Sequence, residues 1–252
     1  MYLTTKALVL RVTDVPDRDA LLTLLTPSHG RLTAKARGLR RKNSPLIAPG
    51  QLLAYGEYTL FEYRGSYTVN EAAAIELFPN LRRDLGKLSL GTYFAQAAEL
   101  ISQEDLPNPE LLSLTLNCLH ALSGTALPEE MVKAVFELRL ACLAGFQPDL
   151  SACHSCGNPN PDCFAISAGA LECAVCRDAS LSGIRLPISA GTLQAMRYIC
   201  SCEPKRLFSF RLGAENLQQL SQVTESYLLT QLEHGFSTLD FYKSLNLGAS
   251  NV

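Results

Sequence analysis

The chain has 252 residues, of which 47% are hydrophobic and 18% are charged, a composition typical of a soluble globular protein with one large core or two to three smaller ones. No apolar run approaches the roughly 20 residues that a membrane-spanning helix requires, and the first residues lack the apolar core and cleavage site of a signal peptide. These features argue against a helical membrane protein and predict a cytoplasmic one.

Charge is distributed unevenly along the chain. The net charge is only −2, but residues 1–80 hold ten Lys or Arg against seven Asp or Glu, whereas residues 81–252 hold twelve against seventeen. The first part is therefore basic, at +3, and the rest is acidic, at −5. This asymmetry suggests that the first part meets a polyanion and that the remainder meets something else.

The first 75 residues show the alternation typical of strands and contain no convincing helix. Strands are predicted over residues 3–11, 20–26, 31–38, 51–63 and 67–74, with turn-forming residues between them. Five strands in so short a segment predict a small barrel, which we interpret as an OB-fold over residues 1–79. An SH3-like barrel is the alternative, because the strand periodicity would be the same.

The third predicted strand opens the most basic stretch of the chain, residues 30–42, which contains no acidic residue. Alternation in a strand places Arg31, Lys35 and Arg37 on one face and small apolar residues on the other. Such a run is often only a solvated face, and it is also the pattern of a surface that binds phosphates. Its six basic residues are Arg31, Lys35, Arg37, Arg40, Arg41 and Lys42.

Two further groups of side chains flank this stretch. The carboxylates Asp14, Asp17 and Asp19 precede it, and their loop setting favours a solvated turn over a cation site. Aromatic residues fall in the last two predicted strands, where we expect most to be buried and at most one or two to be exposed for stacking on bases. These aromatic residues are Tyr55, Tyr58, Phe61, Tyr63 and Tyr67.

From residue 80 the apolar residues recur at intervals of three and four, which indicates helices. Helices predicted over residues 84–102, 108–123 and 128–144 would form a small bundle, and two more, over residues 189–202 and 214–236, would return to complete it. Glu129 and Lys133 lie four residues apart on the polar side of the third helix. With the bundle assigned to residues 80–150 and 185–252, the fold class is predicted to be α+β and multidomain.

Four of the nine cysteines form two CxxC pairs. Each pair supplies two thiolates from a tight turn, and four thiolates close a tetrahedral site at about 2.3 Å from a zinc ion. Such a site leaves no open position for water or substrate, so we expect one structural Zn2+, with a rubredoxin-like iron site as the alternative and His154 or Cys163 as possible replacement ligands. Cys200 and Cys202 are interpreted as ordinary thiols. The zinc knuckle is predicted over residues 151–184, with ligands Cys153, Cys156, Cys173 and Cys176.

The sequence contains no recognisable catalytic motif. A phosphate-binding loop, a serine-hydrolase elbow and an HExxH motif are missing, and neither His120 nor His154 begins the His-x-Glu that zinc deaminases require. We therefore expect no enzymatic activity.

Three passages together resemble a known family. ALVLRV near the N-terminus, LLTLLTPSHGRLTAKARGLRR after the acidic loop, and FELRLACLAGFQPDLSACHSCG at the first CxxC are similar to the bacterial recombination mediator RecO. The resemblance covers nearly the whole chain, and its most specific parts are TPSHGRLTAKARG and the segment that leads from FELRL into the cysteines. Members of the family differ in whether the cysteines are present, and this chain resembles the zinc-bearing kind.

The resemblance implies a function that composition does not show. It implies an N-terminal OB-fold that binds single- and double-stranded DNA, annealing of complementary strands, and joint action with RecR. It also implies contact with single-stranded DNA-binding protein and help in loading RecA, at the nucleoid. The matching hairpin would supply the DNA-binding residues Arg31, Lys35, Arg37, Arg40, Arg41 and Lys42, with Arg11 as a neighbour.

Other interpretations stay open at this point. The cysteine knuckle could itself bind nucleic acid, although residues 153–176 contain Asp162 and Glu172 and no Lys or Arg. The chain could instead be a protein-interaction adaptor with a merely solvated barrel, or an unrecognised enzyme. A further hypothesis gives a second DNA strand its own cationic surface, formed by Arg177, Arg185, Arg197, Lys205, Arg206 and Arg211.

Overall fold

The computed structural model describes residues 1–176 and 183–249, without the side chains of residues 246–249. These residues group into two compact units, one formed by Met1–Thr125 with the segment that begins at Phe236, and the other by Ala126–Gly235. These units follow packing, whereas the domain boundaries predicted after residues 79, 150 and 184 follow changes in periodicity and stay a prediction. No described helix is both long enough and apolar enough to cross a bilayer.

Five strands form a closed barrel in the first unit. They are β1 (Tyr2–Val15), β2 (Asp19–Leu25), β3 (Arg31–Ala36), β4 (Tyr55–Tyr63) and β5 (Ser66–Glu76). Their order around the barrel is β1-β2-β3-β5-β4, with β4 paired to β1, and only the β3–β5 contact is parallel. The five-stranded, OB-like barrel predicted from the sequence is confirmed. Strand β4 begins at Tyr55 because the four residues before it belong to turns.

Alternation along each strand builds the core of the barrel. In β3 the side chains of Leu32, Ala34 and Ala36 are buried, while the residues between them face outward. The largest buried side chain of the barrel is Tyr58, whose hydroxyl donates a hydrogen bond to the Pro49 carbonyl at 2.6 Å. Burial raises the pKa of Tyr58, so the phenol stays neutral in the core.

Gly30 ties the β2–β3 hairpin to another part of the same unit. Its φ is +59°, and a Cβ at this position would collide with the carbonyl oxygens of Gln103 and Leu106. The Gly30 carbonyl accepts hydrogen bonds from the Thr26 amide at 2.8 Å and from the Thr26 hydroxyl at 2.9 Å, and the Arg31 amide donates to Gln103 at 2.9 Å. These contacts therefore fix the position of the residue at which β3 begins.

The described residues include six α-helices, three of which begin at a capping side chain. They are α1 (Leu85–Ile101), α2 (Pro109–Gly124), α3 (Glu129–Leu143), α4 (Ala190–Ser201), α5 (Ala214–Leu232) and α6 (Ser237–Ala249). The side chains of Asp84, Asn108 and Ser189 accept hydrogen bonds from backbone amides of the first turns of α1, α2 and α4. Capping by these residues explains why the predicted helix starts are correct.

Helix α6 has no counterpart in the sequence-based prediction, which continues one helix to residue 236. Helix α5 ends earlier because Glu233 adopts a left-handed conformation with a φ of 49°, so the predicted C-terminal end is wrong. Helix α6 packs against α1, where the Ser89 hydroxyl donates to the Thr238 carbonyl at 2.9 Å and the Thr238 hydroxyl donates to Gln96 at 2.7 Å.

The second unit combines α3, α4 and α5 with a small sheet. The strands of this sheet are β6 (Asp149–Cys153), β7 (Cys163–Ala165), β8 (Ala170–Glu172) and β9 (Arg185–Pro187), in the order β6-β8-β7-β9. Strands β6 and β8 are parallel neighbours, and each is followed by cysteines at its carboxyl end.

Lys133 lies in the core of the second unit, so its predicted position on the polar side of α3 is wrong. Its Nζ lies 3.1 Å from Glu137 Oε1 and 2.8 Å from Glu225 Oε2, and the Thr224 hydroxyl donates to Glu137 at 2.9 Å. Burial alone would lower the pKa of Lys133, but the two carboxylates outweigh it and raise the pKa. The ammonium group is therefore charged and links α3 to α5.

Candidate nucleic-acid interface and metal centre

The structure brings the four cysteines of the two CxxC pairs together. Each pair forms a tight turn, in which the Gly157 amide donates to the Cys153 carbonyl and the Cys176 amide donates to the Cys173 carbonyl, both at 2.9 Å. All four Sγ atoms lie within 4.8 Å of one another, and the Sγ atoms of Cys156 and Cys173 are 3.8 Å apart. A tetrahedral site with zinc–sulfur bonds of about 2.3 Å requires sulfur atoms about 3.8 Å apart. The cluster therefore has the dimensions of a four-thiolate metal site.

The surroundings of the cluster favour the thiolate form of one cysteine, but without a bound cation they do not allow all four cysteines to ionise. The backbone amide of Cys156, followed by those of Ser155 and Cys173, lowers the pKa of Cys153 to about 6. The side chain of Cys156, together with burial, raises the pKa of Cys176 to about 12. Because one thiolate makes the next harder to form, a divalent cation is the group that would let all four coexist.

Neither of the alternative ligands belongs to the cluster. His154 Nε2 lies 3.2 Å from Glu172 Oε1, and Arg185 Nε lies 2.7 Å from Glu172 Oε2. The fully buried Glu172 thus holds the His154 ring beside the cysteines, and Cys163 is buried in β7 outside the group of four. Four cysteines are the set that the geometry assembles.

Four of the seven predicted DNA-binding cations already face a carboxylate. Lys35 Nζ lies 3.0 Å from Asp19 Oδ2, and Arg40 Nε lies 2.7 Å from Asp14 Oδ1. Arg11 pairs with Glu99 at 2.9 Å, and Arg31 lies 3.8 Å from Glu104 and donates to the Glu99 carbonyl at 3.2 Å. Much of the charge of the basic stretch is therefore balanced within the first unit.

One carboxylate of the acidic group, Asp19, departs from the solvated turn that the sequence predicted, whereas Asp14 and Asp17 are exposed. Asp19 is nearly buried and accepts a hydrogen bond from the Gly38 amide at 2.7 Å, while Asp14 holds Arg40. The Gly38 amide and the Lys35 ammonium lower the pKa of Asp19 below its usual 3.8. Two of the three carboxylates are thus partners of the basic stretch.

The remaining cations of the stretch are Arg37, Arg41 and Lys42, and all three are exposed. Within the described part of the chain, no carboxylate lies at ion-pair distance from any of them. Arg41 lies over Gly38, where its side chain would meet any added Cβ. These three side chains are the ones available to an incoming anion.

Comparisons with known proteins agree with the order of these parts. The family described as Recombination protein O N terminal matches residues 1–78, and Recombination protein O C terminal matches residues 82–240. The protein named DNA repair protein RecO of Acetivibrio thermocellus is 32% identical over 247 residues, covering 97% of this chain and 98% of that protein. The chain belongs to the RecO family. The protein of the same name from Alkaliphilus metalliredigens is 28% identical over 248 residues, covering 97% of this chain and all of that protein.

Membership of the RecO family confirms the resemblance stated from the sequence. The junction between the two matches, residues 79–81, follows directly after the barrel, whose last strand ends at Glu76. Family membership does not say which side chains of this RecO chain meet a ligand, so the set of DNA-binding residues stays a prediction.

The exposed aromatic residues of the RecO barrel were foreseen only in part. Tyr58 is buried, Tyr55 and Tyr67 are half-buried, and Phe61 and Tyr63 are 39% and 59% exposed. Tyr2, which is 62% exposed, is missing from the predicted set. Its ring centroid lies 5.3 Å from that of Phe61. The only indication that Tyr2 belongs with these residues is the pairing of β1 with β4, which the sequence of β1 alone does not reveal.

Two residues of the hypothetical second cationic surface make contacts within the second unit instead of facing solvent freely. Arg197 donates hydrogen bonds to three backbone carbonyls, including that of Leu150 at 2.7 Å, and Arg185 pairs with Glu172. Arg177 lies outside the described residues. The exposed members are Lys205, Arg206 and Arg211.

Cys200 has a sulfur neighbour that its CxC spacing does not predict. Its Sγ lies 3.7 Å from that of Cys142 in α3, and the nearby Arg139 guanidinium donates to the Cys200 carbonyl at 2.9 Å. Cys200 is a free, half-buried thiol, in agreement with the prediction, and it lies beside a second free thiol.

Proposed function

We propose that the chain is a non-enzymatic mediator of DNA repair and homologous recombination. In this proposal it binds single- and double-stranded DNA without sequence specificity, anneals complementary strands, and with RecR helps to load RecA on DNA coated by single-stranded DNA-binding protein, in the cytoplasm at the nucleoid. Membership of the RecO family supports the role in repair and recombination. The observation that carries DNA binding is the group of three exposed cations after β3, which face no carboxylate among the described residues.

The available cations divide into two classes by their partners. Arg37, Arg41 and Lys42 can meet a phosphate without first leaving a carboxylate, so they would contribute most to counterion release. Lys35 and Arg40 must exchange Asp19 or Asp14 for a phosphate, which reduces their net gain. Arg11 and Arg31, which pair with residues after the barrel, would contribute least.

Sequence-independent binding fits the shape of this surface. Residues 1–80, all of which are described, contain strands, turns and one short 3-10 segment but no α-helix that could enter a major groove. Arg41 and Lys42 lie in a turn and end in flexible, fully charged groups, which suits contact with the phosphate backbone. Annealing would follow because the cations screen the repulsion between two strands that are held close together.

The cysteine cluster would hold one zinc ion by Cys153, Cys156, Cys173 and Cys176. The ion would supply no chemistry beyond binding four thiolates, because four protein ligands leave no position for water. The four residues would fix the ends of β6 and β8 relative to each other, with Glu172 and His154 packed beside them. We therefore assign the centre a structural role within the second unit.

Charge removal at the turn after β3 tests DNA binding. Arg41→Gln with Lys42→Gln should weaken binding of every oligonucleotide sequence alike. The slope of log K against log salt should flatten by roughly 0.7 for each lost contact with single strands. The readout is fluorescence anisotropy over a series of KCl concentrations, followed by annealing rates of complementary strands. A matched control is Lys6→Gln with Arg83→Gln, which removes the same charge from exposed positions elsewhere in the first unit. Equal effects of the two pairs would reject this surface as the DNA site.

A further inference from the structure

A row of outward-facing side chains crosses three strands of the barrel and ends at the basic strand. Tyr2 of β1 is the register partner of Phe61 of β4, which in turn is the partner of Thr68 of β5. Thr68 is also the partner of Lys35 in the parallel β3–β5 pair. Partners across a sheet project from the same face, so the two aromatic rings and the cationic strand share one outer surface.

This row borders a cleft of about 330 Å3. Its volume lies near the lower end of the roughly 300–1,000 Å3 that small-molecule sites occupy. The cleft combines two aromatic rings, one guanidinium and two uncharged polar side chains. The lining residues are Tyr2, Arg37, Phe61, Thr68, Val69 and Asn70.

The two rings are left in contact with solvent although they touch each other. Tyr2 is 62% and Phe61 39% exposed, with their rings tilted by 55°. The neighbouring Tyr63 differs, because the Arg64 guanidinium lies 5.2 Å from its ring centroid. Exposed apolar residues scattered singly are normal, whereas adjacent aromatic area beside a cation that faces no carboxylate among the described residues is typical of a ligand surface.

We infer that this cleft binds one unpaired nucleobase of single-stranded DNA, stacked on the Tyr2–Phe61 pair, with a flanking phosphate on Arg37. The inference rests on the proposed function and adds the contact that distinguishes single strands from duplex. Every base has a π-face, so the rings accept any sequence. Arg37 lines the cleft and faces no carboxylate among the described residues, which favours a ligand that is both planar and anionic over an apolar peptide.

The consequence is a division between two kinds of contact. Cations such as Arg41 and Lys42 hold the phosphates of single strands and of duplex. The aromatic pair holds only a base that is free of its complement, because a paired base is stacked inside the helix. The site should therefore raise affinity for single strands and release its base as the complementary strand pairs.

The test replaces both rings with aliphatic side chains, Tyr2→Leu with Phe61→Leu, which keeps apolar volume on the strands. Three probes of equal length are compared by anisotropy: oligo-dT, the same backbone with abasic residues, and a duplex. Oligo-dT affinity should fall about 5- to 150-fold, the range for loss of one stacked base. Binding of the abasic strand and of the duplex should not change, and neither should the salt slope for oligo-dT. Tyr2→Phe, which keeps the ring, should retain full affinity, and Tyr63→Leu serves as the matched aromatic control.

The outcomes separate this site from the proposed function. If the unaltered protein binds none of the three probes, both proposals are wrong. If it binds all three and the double variant loses none of its oligo-dT affinity, or loses dT and abasic binding equally, only the stacking site is overturned. Circular dichroism of each variant identifies a loss of fold. If the double variant is unstable, the single change Tyr2→Leu, at a position that is 62% exposed, carries the test, and unchanged oligo-dT affinity in that variant overturns the stacking site.

Discussion

At the scale of single residues, Asp19 has two roles at the basic strand. Its carboxylate accepts from the Gly38 amide at 2.7 Å and lies 3.0 Å from Lys35 Nζ. The same side chain therefore shapes the end of the hairpin and neutralises one of its cations. Substitution can separate these two roles, because an amide oxygen accepts the same hydrogen bond without the charge.

Asp19→Asn should increase affinity for DNA. The Asn oxygen can still accept from Gly38, but Lys35, whose side chain is 43% exposed, loses its counter-charge and becomes available to a phosphate. We expect the salt slope for single strands to steepen by about 0.7, the value for one added contact. Asp17→Asn is the matched control, since it removes the same charge from an exposed residue outside the ion pairs described. An equal gain in the two variants would show that only overall charge matters.

The same carboxylate gives the first unit a pH dependence. The pKa of Asp19 is lowered from its usual 3.8 by the Gly38 amide and by Lys35, so the folded state binds this proton more weakly than the unfolded state. The contribution to stability is therefore complete above the unfolded pKa and is lost as the pH falls through the folded pKa. Urea midpoints should be higher for the unaltered protein than for Asp19→Asn at pH 6, and the difference should shrink towards pH 3. A difference that is constant over this range would contradict the assignment.

At the scale of elements, sequence patterns predict what depends on near neighbours. Helix starts at Asn108 and Ser189 follow from capping, and the burial of Leu32 and Ala34 follows from strand alternation. The burial of Lys133 does not follow from sequence, because the residue that completes its ion cluster, Glu225, lies on a different helix. Helix α6 was missed for a related reason, since it is held by contacts with α1 that are distant in sequence.

Lys133→Met tests the cluster that joins α3 to α5. It should lower the free energy of unfolding by about 3–5 kcal/mol, because the fully buried Glu137 would lose the Lys133 ammonium. The measurement is urea unfolding followed by circular dichroism. Adding Glu137→Leu should recover much of this loss, since Glu225, whose side chain is 18% exposed, can turn to solvent and an apolar pair can fill the space. Failure of the second change to rescue stability would mean that packing by the Lys133 stem, and not its charge, was lost.

At the scale of the whole molecule, the cysteine cluster and the proposed nucleic-acid surface differ in how much of each the sequence predicts. The four cysteines can be recognised from the sequence, because each CxxC is a complete local turn and only the contact between the two pairs must be inferred. The proposed nucleic-acid surface can be predicted only in part: the basic stretch is local, but the pairing of Lys35 with Asp19 and of Tyr2 with Phe61 depends on strand register. A run of cations in sequence is thus an upper limit on the charge that a surface offers.

The candidate metal centre belongs to the second unit and the exposed cations after β3 belong to the first unit. This separation leads to the last prediction. Cys153→Ser should remove about one equivalent of zinc, measured by atomic emission, because a hydroxyl is a poor replacement for a thiolate. The second unit should lose stability, since metal binding contributes directly to folding free energy. Oligonucleotide binding should persist at temperatures where the variant is folded, because Arg37, Arg41 and Lys42 belong to the first unit. Cys202→Ser, which alters a half-buried cysteine outside the cluster, is the control. If zinc loss weakens DNA binding as much as Arg41→Gln with Lys42→Gln does, the cysteine knuckle itself contacts nucleic acid, and the division of roles between the two units is wrong.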